Sequence, residues 1–100
     1  MQLGRVIGTV WATRKDEKLE NLKLLLVEEV DSQNRALDRY TVAVDAVGAG
    51  IGEVVLTASG SAARQTLLTD GRPADAVVMA IVDSWDIEGR VVFRKHGEAD

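Results

Sequence analysis

The sequence predicts an all-β (mainly β) chain folded as a small five-stranded barrel, with one short helix between the fourth and fifth strands. Three observations predict it. Runs rich in β-branched and aliphatic residues recur at short intervals, separated by charged or glycine-rich breaks. Only one stretch, Ser61–Leu68, reads as a helix. Hydrophobic residues make up 46% of the 100 residues but aromatics only 4%, so the core must be built from Val, Leu, Ile and Ala.

The first strand is Leu3–Thr13, in which Val6, Gly8, Val10 and Ala12 share one parity and Ile7, Thr9 and Trp11 the other. Residues 14–21 (RKDEKLEN) form a charged break, read as a solvated loop. Leu22–Val30 is the second strand. Leu22, Leu24 and Leu26 lie on one face and Leu25 and Val27 on the other, which predicts a strand covered on both sides or one whose outer face meets a partner. Asp31–Asp38 carries turn formers and leads to a third strand, Arg39–Val47. Glu53–Ala58 is the fourth strand, and Ser59 or Ser61 can cap the helix that follows. After the turn Thr69–Pro73, Ala76–Ile87 reads as one long fifth strand, and Glu88-Gly89 reverses the chain tightly into Val91–Lys95. Residues 1–95 thus form a single domain, with 96–100 as a flexible tail that lacks apolar anchors. Five main strands in this order suggest an OB-like barrel.

Composition excludes several functions. The formal charge of −4 argues against a broad polyanion-binding surface, because nucleic-acid affinity rests on clustered Lys and Arg releasing counterions. Cysteine is absent, which removes disulfide and thiol chemistry and fits a reducing compartment. No secretory signal opens the chain, and the longest apolar run, Ala76–Val82, is too short to span a bilayer as a helix. The expectation is a cytoplasmic protein without membrane contact.

The candidate chemistry centres on Gly48-Ala49-Gly50-Ile51-Gly52-Glu53. A dinucleotide fingerprint needs G-x-G-x-x-G at a strand-to-helix turn, so that pyrophosphate meets a helix N-terminus. Here the spacing is G-x-G-x-G, Glu53 holds the position of the last glycine, and Val54-Val55-Leu56-Thr57 favours strand. A carboxylate there would repel phosphate, and no Walker Gly-Lys-Ser/Thr triplet exists. The glycines read instead as a sharp corner or a crowded place between chains. Glu53 is placed either to accept hydrogen bonds from loop amides or to point into a rim. The single histidine, His96, lies in the tail without an orienting partner, so no catalytic triad, metal site or cofactor site is expected. Asp45 and Asp83 interrupt apolar strands, and Arg64 is the expected structural partner for such carboxylates. Trp11, Tyr40, Trp85 and Phe93 read as core or interface rings, since base-stacking platforms come with a basic groove.

The run Asp45–Leu56 (DAVGAGIGEVVL), followed by Gly60-Ser61-Ala62-Ala63-Arg64-Gln65-Thr66, closely resembles the pentameric vertex proteins of bacterial microcompartment shells, the EutN/CcmL family. So do Arg72-Pro73-Ala74-Asp75-Ala76, Ala80-Ile81-Val82-Asp83, the opening 3–13 and the leucine-rich 23–27, so the resemblance spans roughly residues 1–95. It implies an OB-like barrel that assembles into a cyclic homopentamer shaped like a truncated pyramid. Such pentamers cap the fivefold corners of an icosahedral shell whose facets are hexagonal proteins, and they catalyse nothing. Many relatives carry two serines where this chain has Ser61-Ala62. On this resemblance Gly48, Ala49, Gly50, Gly52 and Glu53, with Ser59, Ser61 and Arg64, are expected at subunit contacts or near the fivefold axis. Arg64 is expected to pair with Asp45, Asp75 or Asp83. The competing expectation, an OB-type nucleic-acid or small-ligand binding module, requires a basic aromatic face or a polar pocket.

Overall fold

The computed structural model describes residues 1–13, 15, 17–60, 63 and 75–95. Among them seven strands form: β1 (Gln2–Val10), β2 (Leu24–Val30), β3 (Ala36–Asp45), β4 (Val54–Ser59), β5 (Ala76–Ile81), β6 (Ser84–Ile87) and β7 (Arg90–Arg94). The first five close into a barrel in the order β1-β2-β3-β5-β4, with β4 returning to β1. Every pairing is antiparallel except β3–β5, which is parallel at Val44–Val77 and Asp45–Val78. The expected five-stranded barrel is therefore what forms. The helix expected at 61–68, the turn at 69–73 and the tail at 96–100 lie outside the described residues, Ala63 excepted.

Strand boundaries differ from the sequence reading at several points: β1 ends at Val10 rather than Thr13, β2 begins at Leu24 rather than Leu22 and β3 ends at Asp45 rather than Val47. Two further differences have identifiable reasons. The long fifth strand expected over 76–87 is two strands, because the chain leaves the barrel at Val82-Asp83. There the Val82 amide donates to the Val54 carbonyl (2.8 Å) and the Asp83 carbonyl accepts from the Lys95 amide (2.7 Å), turning β6 and β7 into a separate two-stranded sheet. Strand β3 begins at Ala36 rather than Arg39, because Asp31 compresses the preceding turn. Its Oδ1 accepts from the Gln33 and Arg35 amides, both at 2.9 Å, and its own amide donates to the Arg35 carbonyl at 2.9 Å. The Glu88-Gly89 reversal forms as expected, with φ of 51° and 83°, the left-handed pair that a type I′ hairpin turn demands. The charged break after β1 contains one short 3-10 turn, Glu17–Leu19.

The two-sided apolar pattern of β2 resolves into two cores. Inside the barrel, Leu25 and Val27 pack with Val6, Ala43, Val55, Ala76 and Val78. Outside it, Leu24 packs with Leu19, Leu22, Val44, Ala58, Ala63, Val77 and Met79. One end of the outer surface is thus covered by the chain's own connections. The β6–β7 hairpin is pinned beside the barrel by the Trp85 indole N–H, which donates to the Ser32 carbonyl at 2.9 Å, and Trp85 stacks at a tilt on Phe93 with ring centroids 5.2 Å apart.

Candidate functional site: a glycine loop held by two carboxylates

Strand β3 ends at Asp45, whose amide donates to the Lys23 carbonyl (2.9 Å) and whose carboxylate turns into the loop that follows. Its Oδ1 accepts from the amides of Val47 (3.0 Å), Gly48 (2.9 Å) and Ala49 (3.2 Å). This is the turn-forming habit of aspartate, a side chain standing in for a backbone carbonyl. Glu53 closes the loop from the other end, with Oε1 accepting from the Gly50 amide at 2.6 Å. The Glu53 amide donates back to the Gly50 carbonyl (3.2 Å), and Gly52, at the third position of that turn, has φ of 88°. A type II turn needs positive φ there, and glycine supplies it without strain.

The loop is part of the barrel wall. The Gly52 amide donates to the Val6 carbonyl (2.7 Å) and the Val6 amide to the Glu53 carbonyl (2.9 Å), so its end continues the β4–β1 ladder. Ala49 is 1% exposed and packs inside the barrel with Val6, Leu25 and Val55. Arg5 spans the outside, donating to the Gly52 carbonyl (3.3 Å) and to Asn34 Oδ1 (2.7 Å).

The second oxygen of Glu53 meets Lys95 Nζ at 2.8 Å, tying the end of β7 to the loop. The Lys95 ammonium, then the Gly50 amide, hold the Glu53 carboxyl below its ordinary 4.5, and the same contact, with the charge of Asp83 adding, holds Lys95 above its ordinary 10.5. A depressed carboxyl pKa gives stability that is present above 4.5 and lost as pH falls through the folded value; a raised ammonium pKa gives stability present below 10.5 and lost as pH rises through the folded value. The Glu53–Lys95 clamp should therefore stabilise the fold throughout the interval between and fade at both ends. Urea midpoints measured from neutrality to well below pH 4.5 should fall less steeply for Lys95→Met than for the wild type. Parallel curves would show that the clamp contributes nothing.

This geometry decides against a phosphate cradle. The amides of residues 47–50, the ones that would face an anion, already donate to two carboxylates of the same chain. A phosphate would have to displace them and then sit beside their charge. Among the described residues no cluster of three or more His, Asp or Glu is placed to hold a metal, and no helix is long and apolar enough to cross a membrane.

The loop brings Gly48, Ala49, Gly50, Gly52 and Glu53 together with Asp45. Ser59 lies at the opposite end of β4 from Glu53, paired with Ala76, and the Gly60 amide next to it donates to the Asp75 carbonyl at 2.9 Å. Asp83 stands where the chain leaves the barrel. Ser61 and Arg64 lie outside the described residues. The four aromatics are spread over separate elements, with Trp11 in the β1–β2 connection, Tyr40 on β3 and Trp85 and Phe93 on the hairpin. Sequence reasoning missed Lys95 and Arg5, whose partners are far along the chain. It also missed the loop-capping role of Asp45, which the Asp45-Ala46-Val47-Gly48 order could have signalled as an aspartate turn.

Fold and loop together define a class: a closed OB-like barrel whose conspicuous glycine segment is a rigid structural piece. Comparison with known proteins gives the family. The model of the family described as ethanolamine utilisation protein EutN/carboxysome matches residues 1–83. The carboxysome shell vertex protein CcmL of Nostoc sp. is 48% identical over 96 residues, which is 95% of each chain. The structure of Gloeobacter violaceus CcmL superposes with a TM-score of 0.94 at 42% identity, covering 97% of this chain and 100% of that one. The GrpN pentameric microcompartment shell protein from Rhodospirillum rubrum superposes with a TM-score of 0.80 at 42% identity, covering 87% of this chain and 99% of that one. The chain belongs to the EutN/CcmL family.

Proposed function

We propose that this chain is a shell vertex subunit. Five copies form a ring that caps a fivefold corner of a bacterial microcompartment, in the cytoplasm, with hexagonal shell proteins forming the facets around it. The observation that carries this reading is the likeness to a pentameric microcompartment shell protein over 87% of this chain, at 42% identity and a TM-score of 0.80. The loop supports a non-catalytic role, since its polar groups are engaged with one another. None of the relatives named above bears a nucleic-acid-binding name.

In the ring, Gly48, Gly50, Gly52 and Glu53, with Ser59, Ser61 and Arg64, lie at subunit contacts or near the axis. Ala49, buried in its own barrel, serves by fixing the loop's position. Native mass spectrometry tests the assembly: a five-subunit mass is expected, and a monomer would overturn the reading. Gly50 tests the placement. In the free subunit a Cβ there would sit 3.4 Å from Glu53 Oε1 and meet nothing closer, so the subunit has room for a side chain. Gly50→Trp should therefore fold yet fail to reach the five-subunit mass; unchanged pentamers would remove the loop from the contact.

A further inference from the structure

Among the described residues, the chain covers one end of its barrel's outer face. The outward rung Leu24–Val44 is buried under Leu19, Leu22 and Ala63. The next outward rung pairs Leu26 with Val42 and, across the β1 irregularity between Val6 and Gly8, Gly8 with Leu26. Here the side chains face solvent: Val42 is 49% exposed and Ile7, at the irregularity, 40%. Past β1, the Gly52–Val6 hydrogen bond brings the corner of the glycine loop, with the exposed Ile51 (64%), beside that strand. Beyond Val42, β3 meets β5 only from Val44 onward, so its edge is open at this level among the described pairings. The rung below is Arg5–Glu28–Tyr40. An apolar row bordered by charged and hydroxyl groups has the anatomy of a protein–protein contact, with a dry centre and a polar rim.

Gly8 adds an independent observation. It lies outside the left-handed region, and a Cβ there would meet only Leu26 Cβ, at an ordinary 3.9 Å. Nothing in the free subunit requires a glycine at this position. Its bare backbone leaves a shallow place in the middle of the row, between Ile7 and Leu26, open to a neighbouring side chain.

We propose that this stripe, Val42–Leu26–Gly8/Ile7–Ile51, is the face on which the next copy of the chain seats, with Val42 and Ile51 as its anchors. The inference rests on the vertex reading. A ring of five is closed by heterologous contacts, so each copy must carry a receiving face distinct from the one it presents to its other neighbour. The stripe meets the glycine loop through Ile51, which precedes the Gly52 bonded to Val6.

Val42→Lys and Ile51→Asp place a charge where the free subunit already exposes the side chain, so each variant should fold with an unchanged circular dichroism spectrum. In the ring that charge is buried without a partner, which weakens each contact about a hundredfold or more. Both variants should then run as monomers at micromolar concentration, where the wild type keeps its five-subunit mass in native mass spectrometry. A monomeric wild type defeats the vertex reading, and this inference with it. A pentameric wild type with both variants still pentameric overturns the inference alone. If a variant precipitates, the wild-type pentamer decides by hydroxyl-radical footprinting. Labelling of Val42 and Ile51 as weak as that of core Val55 supports the seat, and labelling at the rate of exposed side chains overturns it.

Discussion

Asp45→Ala is expected to destabilise the subunit by about 3 kcal/mol, a fall in Tm of roughly 12–24 °C for a domain of this size. The substitution removes one acceptor and strands three donors, the amides of Val47, Gly48 and Ala49. Leaving a buried donor unpaired costs about 1–3 kcal/mol. The Ala49 amide is buried and bears the full penalty, while the other two are partly buried and recover some hydration. The loss therefore exceeds that of one hydrogen bond and falls short of three. Asp45→Asn keeps a side-chain carbonyl in the same place and should lose less than half as much. Glu53→Ala strands the exposed Gly50 amide and the Lys95 ammonium, both within reach of water, and should also lose less. Thermal unfolding must be followed at one fixed protein concentration, because assembly adds a mass-action contribution. An alanine variant within about 0.5 kcal/mol of the wild type would mean that the loop amides find other acceptors, and the loop-capping role would fall.

The barrel was legible because strand periodicity and turn chemistry are local. Val6, Leu25, Val27, Ala43 and Val55 announce themselves as inward residues by type and parity, and Glu88-Gly89 announces its hairpin. What failed to read was set by distant partners. Nothing in the apolar run after Ala76 marks its break at Val82, because the break is made by the Val54 carbonyl, 28 residues earlier in the chain. The start of β3 moved because one side chain, Asp31, organised its turn more tightly than composition suggests. At the loop, the sequence sufficed to reject phosphate, through the glycine spacing and Glu53, but not to see how the loop is held. Asp45 is expected to pair with Arg64, which lies outside the described residues; what the strand pattern does not signal is that its Oδ1 accepts from amides two to four residues away. Lys95 offered no local signal at all, since its partner is Glu53.

Two glycines of β1 show how the same residue type answers different demands, and the first supports the strongest prediction on the fold. Gly4 lies in the barrel wall, paired with Glu29 on one side and Val55 on the other. A Cβ there would drive into Val27 Cγ1 and stand 3.1 Å from the Glu28 carbonyl oxygen. Neither neighbour yields easily. Val27 is fully buried with a stiff branched side chain, and the carbonyl belongs to the β2 backbone. Gly4 is not in the left-handed region, so propensity alone would make alanine stabilising in a strand. Overpacking reverses that sign: Gly4→Ala should cost about 2 kcal/mol. Gly4→Val, with two further methyl groups and the same walls, should exceed the small reserve of a domain this size and leave no folded soluble protein. Gly8, four residues on, meets only an ordinary contact and should accept alanine with no loss of subunit stability. The decisive variant is the double Gly4→Ala/Val27→Ala. If crowding is the cause, removing the Val27 methyls should recover part of what Gly4→Ala loses, whereas additive losses would place the cost in the backbone of β1.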